Sequence, residues 1–303
     1  ISSATPLTRR IVVVYDFELE TVDLVGKTAC LSKDGFIAGA ADFVQNSVKL
    51  YEWNPITPVS WKQIGQTIRN LAINTGQFGA SLDLSTDGFT VAVGAPGLSG
   101  LVRVYRYDFL VNTWEQKGGD ITGVDDGDKI GDFLRISGDG NVVSTGSATP
   151  TSTKNPYVFS YRYSATTDTW TKFHEYVEPL KLPSNVASKP FSGSLNSTGS
   201  RLLLGAPVNN YTTGAIFLFD LNTDQKLVSI FGDAVGAYLG QSVKLTQTGD
   251  TFVYGDVSAA CVKVYTNNAD TGFWGQMGES ITESYSSGGE FGKHVDISSD
   301  GTV

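Results

Sequence analysis

The sequence predicts an all-β fold assembled from one repeated four-stranded antiparallel unit, and three markers in phase along the chain carry that prediction. The first is a turn signature at Asp34-Gly35, Asp87-Gly88, Asp139-Gly140, Thr198-Gly199, Thr248-Gly249 and Asp300-Gly301, at intervals of 50 to 59 residues. The second is an aromatic residue closing the strand that follows: Tyr15, Tyr51, Tyr105, Tyr161, Phe219 and Tyr265. The third is a Trp nine or ten residues later, at Trp61, Trp114, Trp170 and Trp274. A four-stranded sheet repeated at this period is the sequence pattern of a β-propeller blade. The 34 Gly, the single Met and the abundance of Ser, Thr, Val and Tyr agree, because these residues favour strands and turns over helices.

The elements follow in order from the clearest repeat, Phe78–Thr122. Strand A runs over about Phe78–Ser85, alternating apolar with small or polar residues. Asp87-Gly88 forms the tight A–B turn, where Gly tolerates positive φ without a Cβ penalty. Strand B covers about Phe89–Ala95 and stops at Pro96-Gly97, which cannot continue a ladder. Strand C covers about Leu101–Tyr107 and strand D about Trp114–Ile121. The Trp that opens strand D fills the wedge between diverging blades, with its N–H reaching a neighbouring backbone. Blade four lacks this Trp, and Trp53 is out of phase.

Counting A strands gives six blades in one domain spanning 1–303, at about 26–68, 78–122, 130–177, 190–231, 240–281, and 291–303 joined with 1–23. The last of these rests on the chain ends. Asp300–Val303 followed by Ile1–Tyr15 reads DGTVISSATPLTRRIVVVY, the same length as Asp87–Tyr105, and Pro6 falls on the position of Pro96. The C-terminus would supply strand A and the N-terminus strands C and D, which removes the open edge of the ring. A truncated seven-bladed ring is the alternative. The start at Ile1, without a signal-type segment, fits a processed secreted protein or a piece of a longer one.

The chain has 22 Lys+Arg against 31 Asp+Glu, a net charge of −9, without basic runs. That balance argues against nucleic acid and anionic membrane surfaces. No apolar stretch approaches the ~20 residues of a spanning helix. Cys30 and Cys261 lie in non-adjacent blades and read as buried free thiols.

Two short elements recur in the repeat: Phe78-Gly79 with Gly94-Ala95-Pro96, Gly205-Ala206-Pro207, and Phe291-Gly292, with degenerate copies at Leu239-Gly240 and Val25-Gly26. In these elements the chain resembles the FG-GAP repeats of integrin α-chain-type propellers over essentially its whole length. The resemblance implies a propeller used for extracellular recognition or adhesion. Family members often hold Ca²⁺ in the A–B hairpin, but the hairpins here read SKDG, STDG, SGDG, NSTG, TQTG and SSDG. One carboxylate per turn cannot supply the roughly six to eight oxygens Ca²⁺ takes, so those metal sites are not carried over. The turns also look like sialidase Asp boxes without that pattern's spacer.

No catalytic constellation is visible. His174 on a D strand and His294 on an A strand stand far apart, neither beside a nucleophile, and read as structural. The eight Arg lie mostly on C strands such as Arg103, Arg106 and Arg162, and read as solvated strand edges. The stretch Asp120, Asp125, Asp126, Asp128, Asp132 could gather a hard cation such as Ca²⁺, with Asp125, Asp126 and Asp128 the metal candidates; a solvated turn is the favoured reading. No other cofactor is expected.

Binding is placed on the face formed by the B–C and D–A connections, at Thr149–Pro156, Glu178–Pro190, Val208–Thr213, Asp233–Tyr238 and Thr282–Gly289. Tyr211, Tyr238, Tyr285 and Asn210 are the candidate ligand contacts, since Tyr offers contact area at low entropic cost. The triplets Asn196-Ser197-Thr198 and Asn210-Tyr211-Thr212 permit N-glycosylation in a secretory setting. The expected function is a non-catalytic extracellular or cell-surface module binding a protein or glycan. The first alternative is a self-assembling structural subunit of an appendage or coat. A carbohydrate-active or lactonase-like enzyme ranks third, with Asp83, Asp132 and Asp296 as scattered channel carboxylates.

Overall fold

The computed structural model describes residues 25–42, 45–56, 60–70, 77–148, 155–178, 190–282 and 290–302. Among the described residues five antiparallel sheets follow one another, each an up-and-down meander whose strands pair in chain order. The first holds β1 (Val25–Leu31), β2 (Ile37–Asp42), β3 (Ser47–Asn54) and β4 (Ser60–Arg69). The second holds β5 (Ser81–Leu84), β6 (Thr90–Ala95), β7 (Leu101–Asp108) and β8 (Thr113–Gln116), with β9 (Ile121–Thr122) also on β7. The third holds β10 (Phe133–Ile136), β11 (Val142–Ser147), β12 (Tyr157–Ser164) and β13 (Thr169–Val177). The fourth holds β14 (Ser192–Leu195), β15 (Arg201–Ala206), then the single turn α1 (Asn209–Thr212), β16 (Ala215–Asp220) and β17 (Gln225–Phe231). The fifth holds β18 (Val243–Leu245), β19 (Thr251–Asp256), β20 (Cys261–Asn267) and β21 (Trp274–Gln276), with β22 (Ile281–Thr282) on β20.

The inner strands β1, β5, β10, β14 and β18 pack side by side in chain order. Residues 290–302 continue the series beside β18, where the Val295 amide donates to Ser242 Oγ at 2.9 Å and the Gln247 amide to the Ser299 carbonyl at 3.0 Å. Radially arranged four-stranded blades of this kind are a β-propeller. The strands expected from residues 1–23 lie outside the described residues.

The core sits between blades rather than within them. Four buried clusters each join consecutive sheets; one runs from Ile37, Leu50 and Ile68 of the first sheet to Leu82, Val91 and Trp114 of the second. The second strand of a blade is therefore covered on both sides, and β6 (TVAVGA) and β11 (VVSTGS) are buried at every position. The outer β13 alternates instead, with one face to solvent.

Local chemistry fixes the A–B hairpins. Ser32 Oγ donates to Asp34 Oδ1 at 2.5 Å and accepts the Ile37 amide at 2.9 Å, while Asp34 Oδ1 accepts the Phe36 amide at 3.0 Å. Ser85 with Asp87, and Ser137 with Asp139, repeat this arrangement. Each aspartate is thus taken up by its own turn, as Asx and Ser/Thr turns allow. In the fourth blade Asn196 stands at the serine position; its Oδ1 accepts the Arg201 amide at 2.9 Å and its Nδ2 donates to Ser200 Oγ at 3.0 Å. Asn196 is 3% exposed, so the folded domain offers no open face at this amide for the expected glycan.

The paired glycines have a steric cause. Gly79, Gly131, Gly240 and Gly292 sit at φ between +85° and +95°, open to a residue without Cβ. The carbonyl edges of Gly131, Gly240 and Gly292 lie against Gly94, Gly205 and Gly255 of the preceding blade, whereas Gly79 lies against Ala41. A Cβ on Gly205 would stand 2.1 Å from the Gly240 carbonyl oxygen, and one on Gly94 2.4 Å from that of Gly131. Ser192 Oγ and Ser81 Oγ donate to these two carbonyls at 2.8 and 2.6 Å. Gly205→Ala therefore has to push neighbouring blades apart, and urea denaturation should show a loss of about 1–3 kcal/mol. Gly119→Ala, with open space at its Cβ, should stay within about 0.5 kcal/mol.

Trp114, Trp170 and Trp274 pack into the clusters between blades, as their phase implies. Trp114 Nε1 donates to the Ile64 carbonyl at 3.0 Å and Trp170 Nε1 to the Lys117 carbonyl at 2.8 Å, each reaching the preceding blade. Trp53 lies opposite Trp61, in the place Tyr107 and Tyr163 take opposite Trp114 and Trp170. In blade four Lys226 stands opposite Phe219, as Lys172 does opposite Tyr161, with its Nζ 4.8 Å from the Phe217 ring centre. Strand D of the second blade is not continuous as expected. It breaks at Lys117–Asp120, where Gly118 takes φ +72° and a Cβ there would meet Trp170 Cδ1 at 2.7 Å. Cys261 is buried and Cys30 only partly so; both thiols are free.

Candidate functional site

Two regions gather chemistry: the B–C/D–A loop face and the central channel. On the loop face, the D–A connections Gly123–Gly131 and Gly232–Gly240 are the same structure built twice. Gly100 bridges Ile130 and Gly214 bridges Leu239 in parallel fashion, and Lys129 and Tyr238 both take positive φ, at +53° and +52°. Gln77 holds the corresponding place before Phe78-Gly79, at φ +77°. Three non-glycine residues in a left-handed conformation at one repeat position mark strain held by the surrounding fold. Tyr238 is one of the candidate ligand contacts, while Gln77 and Lys129 carry no sequence signal, since neither belongs to the residue types that favour this conformation.

Different anchors hold the two copies. In the first, the buried Asp128 carboxylate accepts the Val124 and Asp125 amides at 2.8 and 2.9 Å through Oδ2. Asp125 and Asp126 are exposed, whereas Asp128 is buried. Among the described residues no group of three His, Cys, Asp or Glu side chains is placed to hold a metal. The acidic stretch is a loop folded about Asp128. In the second copy α1 is the anchor: the Thr212 carbonyl accepts the Gly236 and Tyr238 amides at 3.1 and 3.0 Å.

α1 is itself tied down by a residue the sequence did not point to. Glu178 is 0% exposed; Asn209 Nδ2 donates to Oε1 and Oε2 at 3.0 and 2.9 Å, and Tyr176 Oη donates to Oε2 at 2.9 Å. Burial, then the Glu178 carboxylate, push the Tyr176 hydroxyl well above its ordinary value. Asn210 and Tyr211 fall in the backbone of α1, near Tyr238 in the fold, whereas Tyr285 lies outside the described residues. The loop tips present apolar side chains to solvent: Val124 at 90%, Val235 at 78% and Leu98 at 59% exposure.

His174 is buried on the outer strand β13, with Nδ1 2.5 Å from Asp224 Oδ1. Arg103 forms a two-pronged pair with Asp120, both contacts at 2.8 Å, and Arg162 lies over the Phe173 ring at 4.2 Å.

The channel is less sparse than expected. Cys30, Asp83, Arg135, Ser194, Lys244 and Asp296 occupy one repeat position on successive inner segments and line a cavity of about 510 Å³, with Lys33 and His294. Asp132 is not among the lining residues; it stands at the head of β10 near Ser147. Several of the polar members reach the next blade. Asp83 Oδ2 accepts the Ile136 amide at 2.8 Å, Arg135 Nε donates to the Gly193 carbonyl at 2.6 Å, and Lys244 pairs with Asp296 at 3.3 Å. Loss of solvent raises the Asp83 carboxyl above its ordinary range, against the pull of Arg135 and the Ile136 amide. Loss of solvent and the Lys244 ammonium lower Lys33, against Asp83 and Asp296. At the A–B end Gln247 Nε2 donates across the channel to Thr86 Oγ1 at 3.2 Å, and backbone bonds from Thr86 to Gly138 and from Asp139 to Ser197 draw the hairpins together.

No family model matches the chain, and no curated protein matches it. Among solved structures it is similar to the β-propeller domain of Cps50 (Swd1) from Myceliophteria thermophila, at 12% identity and TM-score 0.51 over 84% of this chain and 69% of that one. It is also similar to a putative 6-phosphogluconolactonase from Bacteroides fragilis, at 11% identity and TM-score 0.52 over 88% and 72%. A third is the periplasmic gluconolactonase of Pseudomonas aeruginosa, at 15% identity and TM-score 0.50 over 84% and 69%. These likenesses support the β-propeller and nothing finer.

Proposed function

We propose that this chain is a six-bladed, non-catalytic recognition propeller that engages a protein partner through its B–C/D–A loop face. The observation that carries the reading is the repeated D–A loop, with exposed Val124 and Val235 on strained backbone held by buried Asp128 and by α1. Rigid loops with apolar tips lose little entropy on binding, and exposed apolar patches on a rigid scaffold mark contact surfaces. The count of six is supported by Asp296 and His294, which complete the cavity wall beside five inner strands. The extracellular setting rests on the FG-GAP resemblance alone.

Photo-crosslinking tests the face. A crosslinker at position 124 or 235, against a panel of cell-surface proteins, should capture one partner that a probe at position 110 on the opposite side does not. Equal capture at all three positions rejects the assignment. The structural-subunit alternative has its own support in the C–D hairpin of the second blade, where Phe109, Leu110 and Val111 are all exposed, Leu110 at 94%. Corresponding turns such as Ser164–Asp168 are polar.

A further inference from the structure

We propose that the central cavity is a binding site for a small hydroxycarboxylate, entered from the loop face. Three basic side chains, Lys33, Arg135 and Lys244, face two carboxylates, Asp83 and Asp296, in a chain that is otherwise acidic overall. Among the described residues the wall therefore carries one more basic than acidic side chain, and a cleft lined with an excess of one sign concentrates ligands of the other, here an anion.

The hydrogen bonds show where that anion goes. Asp83 is held by two backbone amides, Ile136 on Oδ2 and Leu84 on Oδ1 at 3.1 Å, so it does not neutralise a neighbouring cation by direct contact. Lys244 has Asp296. Arg135, which lines the cavity, uses Nε and Nη1 on the Gly193 and Leu134 carbonyls, both at 2.6 Å, which fixes the guanidinium plane and leaves Nη2 without a hydrogen bond to any described residue. Lys33 has no hydrogen bond or ion pair with any described residue. It is an exposed residue of the A–B hairpin turn of the first blade, and so puts a cation at that end of the cavity.

A carboxylate suits Lys33 and the fixed Arg135 fork. Hydroxyls on the same molecule suit Asp83, Asp296 and Ser194, which offer acceptors along the wall. One negative charge matches the excess of one, and about 510 Å³ is within the roughly 300–1,000 Å³ of small-molecule sites. This site is separate from the protein-binding surface proposed above, and either can fail without the other.

Isothermal titration of the chain with sodium D-gluconate, D-glucose and inorganic phosphate tests the site. Gluconate should bind with a submillimolar Kd that weakens at least threefold between 50 and 500 mM NaCl, glucose should not bind, and phosphate should bind at least tenfold more weakly. Lys33→Met should weaken gluconate at least tenfold with the melting temperature unchanged. Absence of gluconate heat, equal binding of glucose or phosphate, salt-independent affinity, or an unaffected Lys33→Met protein each overturns the proposal. Should Lys33→Met fold poorly, the glucose, phosphate and salt arms on the unaltered chain decide alone.

Discussion

Trp114→Ala lowers the stability of the chain by about 3–5 kcal/mol, the range for truncating a buried large aromatic. Trp114 is buried at the junction of the first two blades, its ring 5.1 Å from that of Tyr107. Three things go at once. The indole N–H no longer satisfies the Ile64 carbonyl. The ring volume is lost, and Gly65, whose Cβ would stand 2.6 Å from Trp114 Cδ1, has no side chain to move into the gap. The exchange in which Gln66 donates to the Trp114 carbonyl at 2.7 Å and accepts its amide at 2.8 Å then closes an empty wedge. Trp114→Phe separates the terms, keeping most of the volume and losing the hydrogen bond, and should cost about 1–2 kcal/mol. Urea midpoints of the two variants check this; a Trp114→Ala loss below about 1 kcal/mol would place the ring outside the joint that holds the blades.

What sequence could reveal here follows the range of the interactions. The A–B hairpins were legible because Ser32, Asp34 and Gly35, and their repeats, bond within five residues of one another. The Trp phase was legible because each ring fills the same wedge. The role of Asn196 was hidden behind its sequon, although alignment with Ser32, Ser85 and Ser137 places it at a turn-fixing position. The channel was legible only in its acids. Arg135 and Lys244 are ordinary residues in their own strands and acquire meaning only when the inner strands meet. Their shared position with Asp83 and Asp296 is written in the repeat, but a carboxylate in an inner strand signals chemistry on its own, as Asp132 falsely did, and a base between carboxylates does not. The positive φ of Gln77, Lys129 and Tyr238 was not readable at all, since the loop imposes it through neighbours such as Thr212.

Glu178→Ala should be the most damaging change to the loop face, at about 2–4 kcal/mol, although no side chain of that face is altered. Asn209 Nδ2 and Tyr176 Oη would be left in a buried site without their carboxylate, and each unsatisfied donor costs about 1–3 kcal/mol, partly offset because a buried carboxylate is itself costly. The damage passes to α1, since Asn209 begins that turn and its carbonyl accepts the Gly214 amide at 3.1 Å. Thr212 ends it and carries the Gly236 and Tyr238 amides. Hydrogen exchange should therefore accelerate at Gly236 and Tyr238 while the Gly127 amide, bonded to Leu98 in the other copy of the loop, keeps its protection. Glu178→Gln keeps the shape but turns an amide N–H₂ toward the Asn209 N–H₂, so one clash replaces one bond and the loss should be smaller. If both amides and the Gly127 control accelerate together, Glu178 acts through general stability. If only the α1 copy responds, the carboxylate is what holds the Tyr238 loop in its strained form.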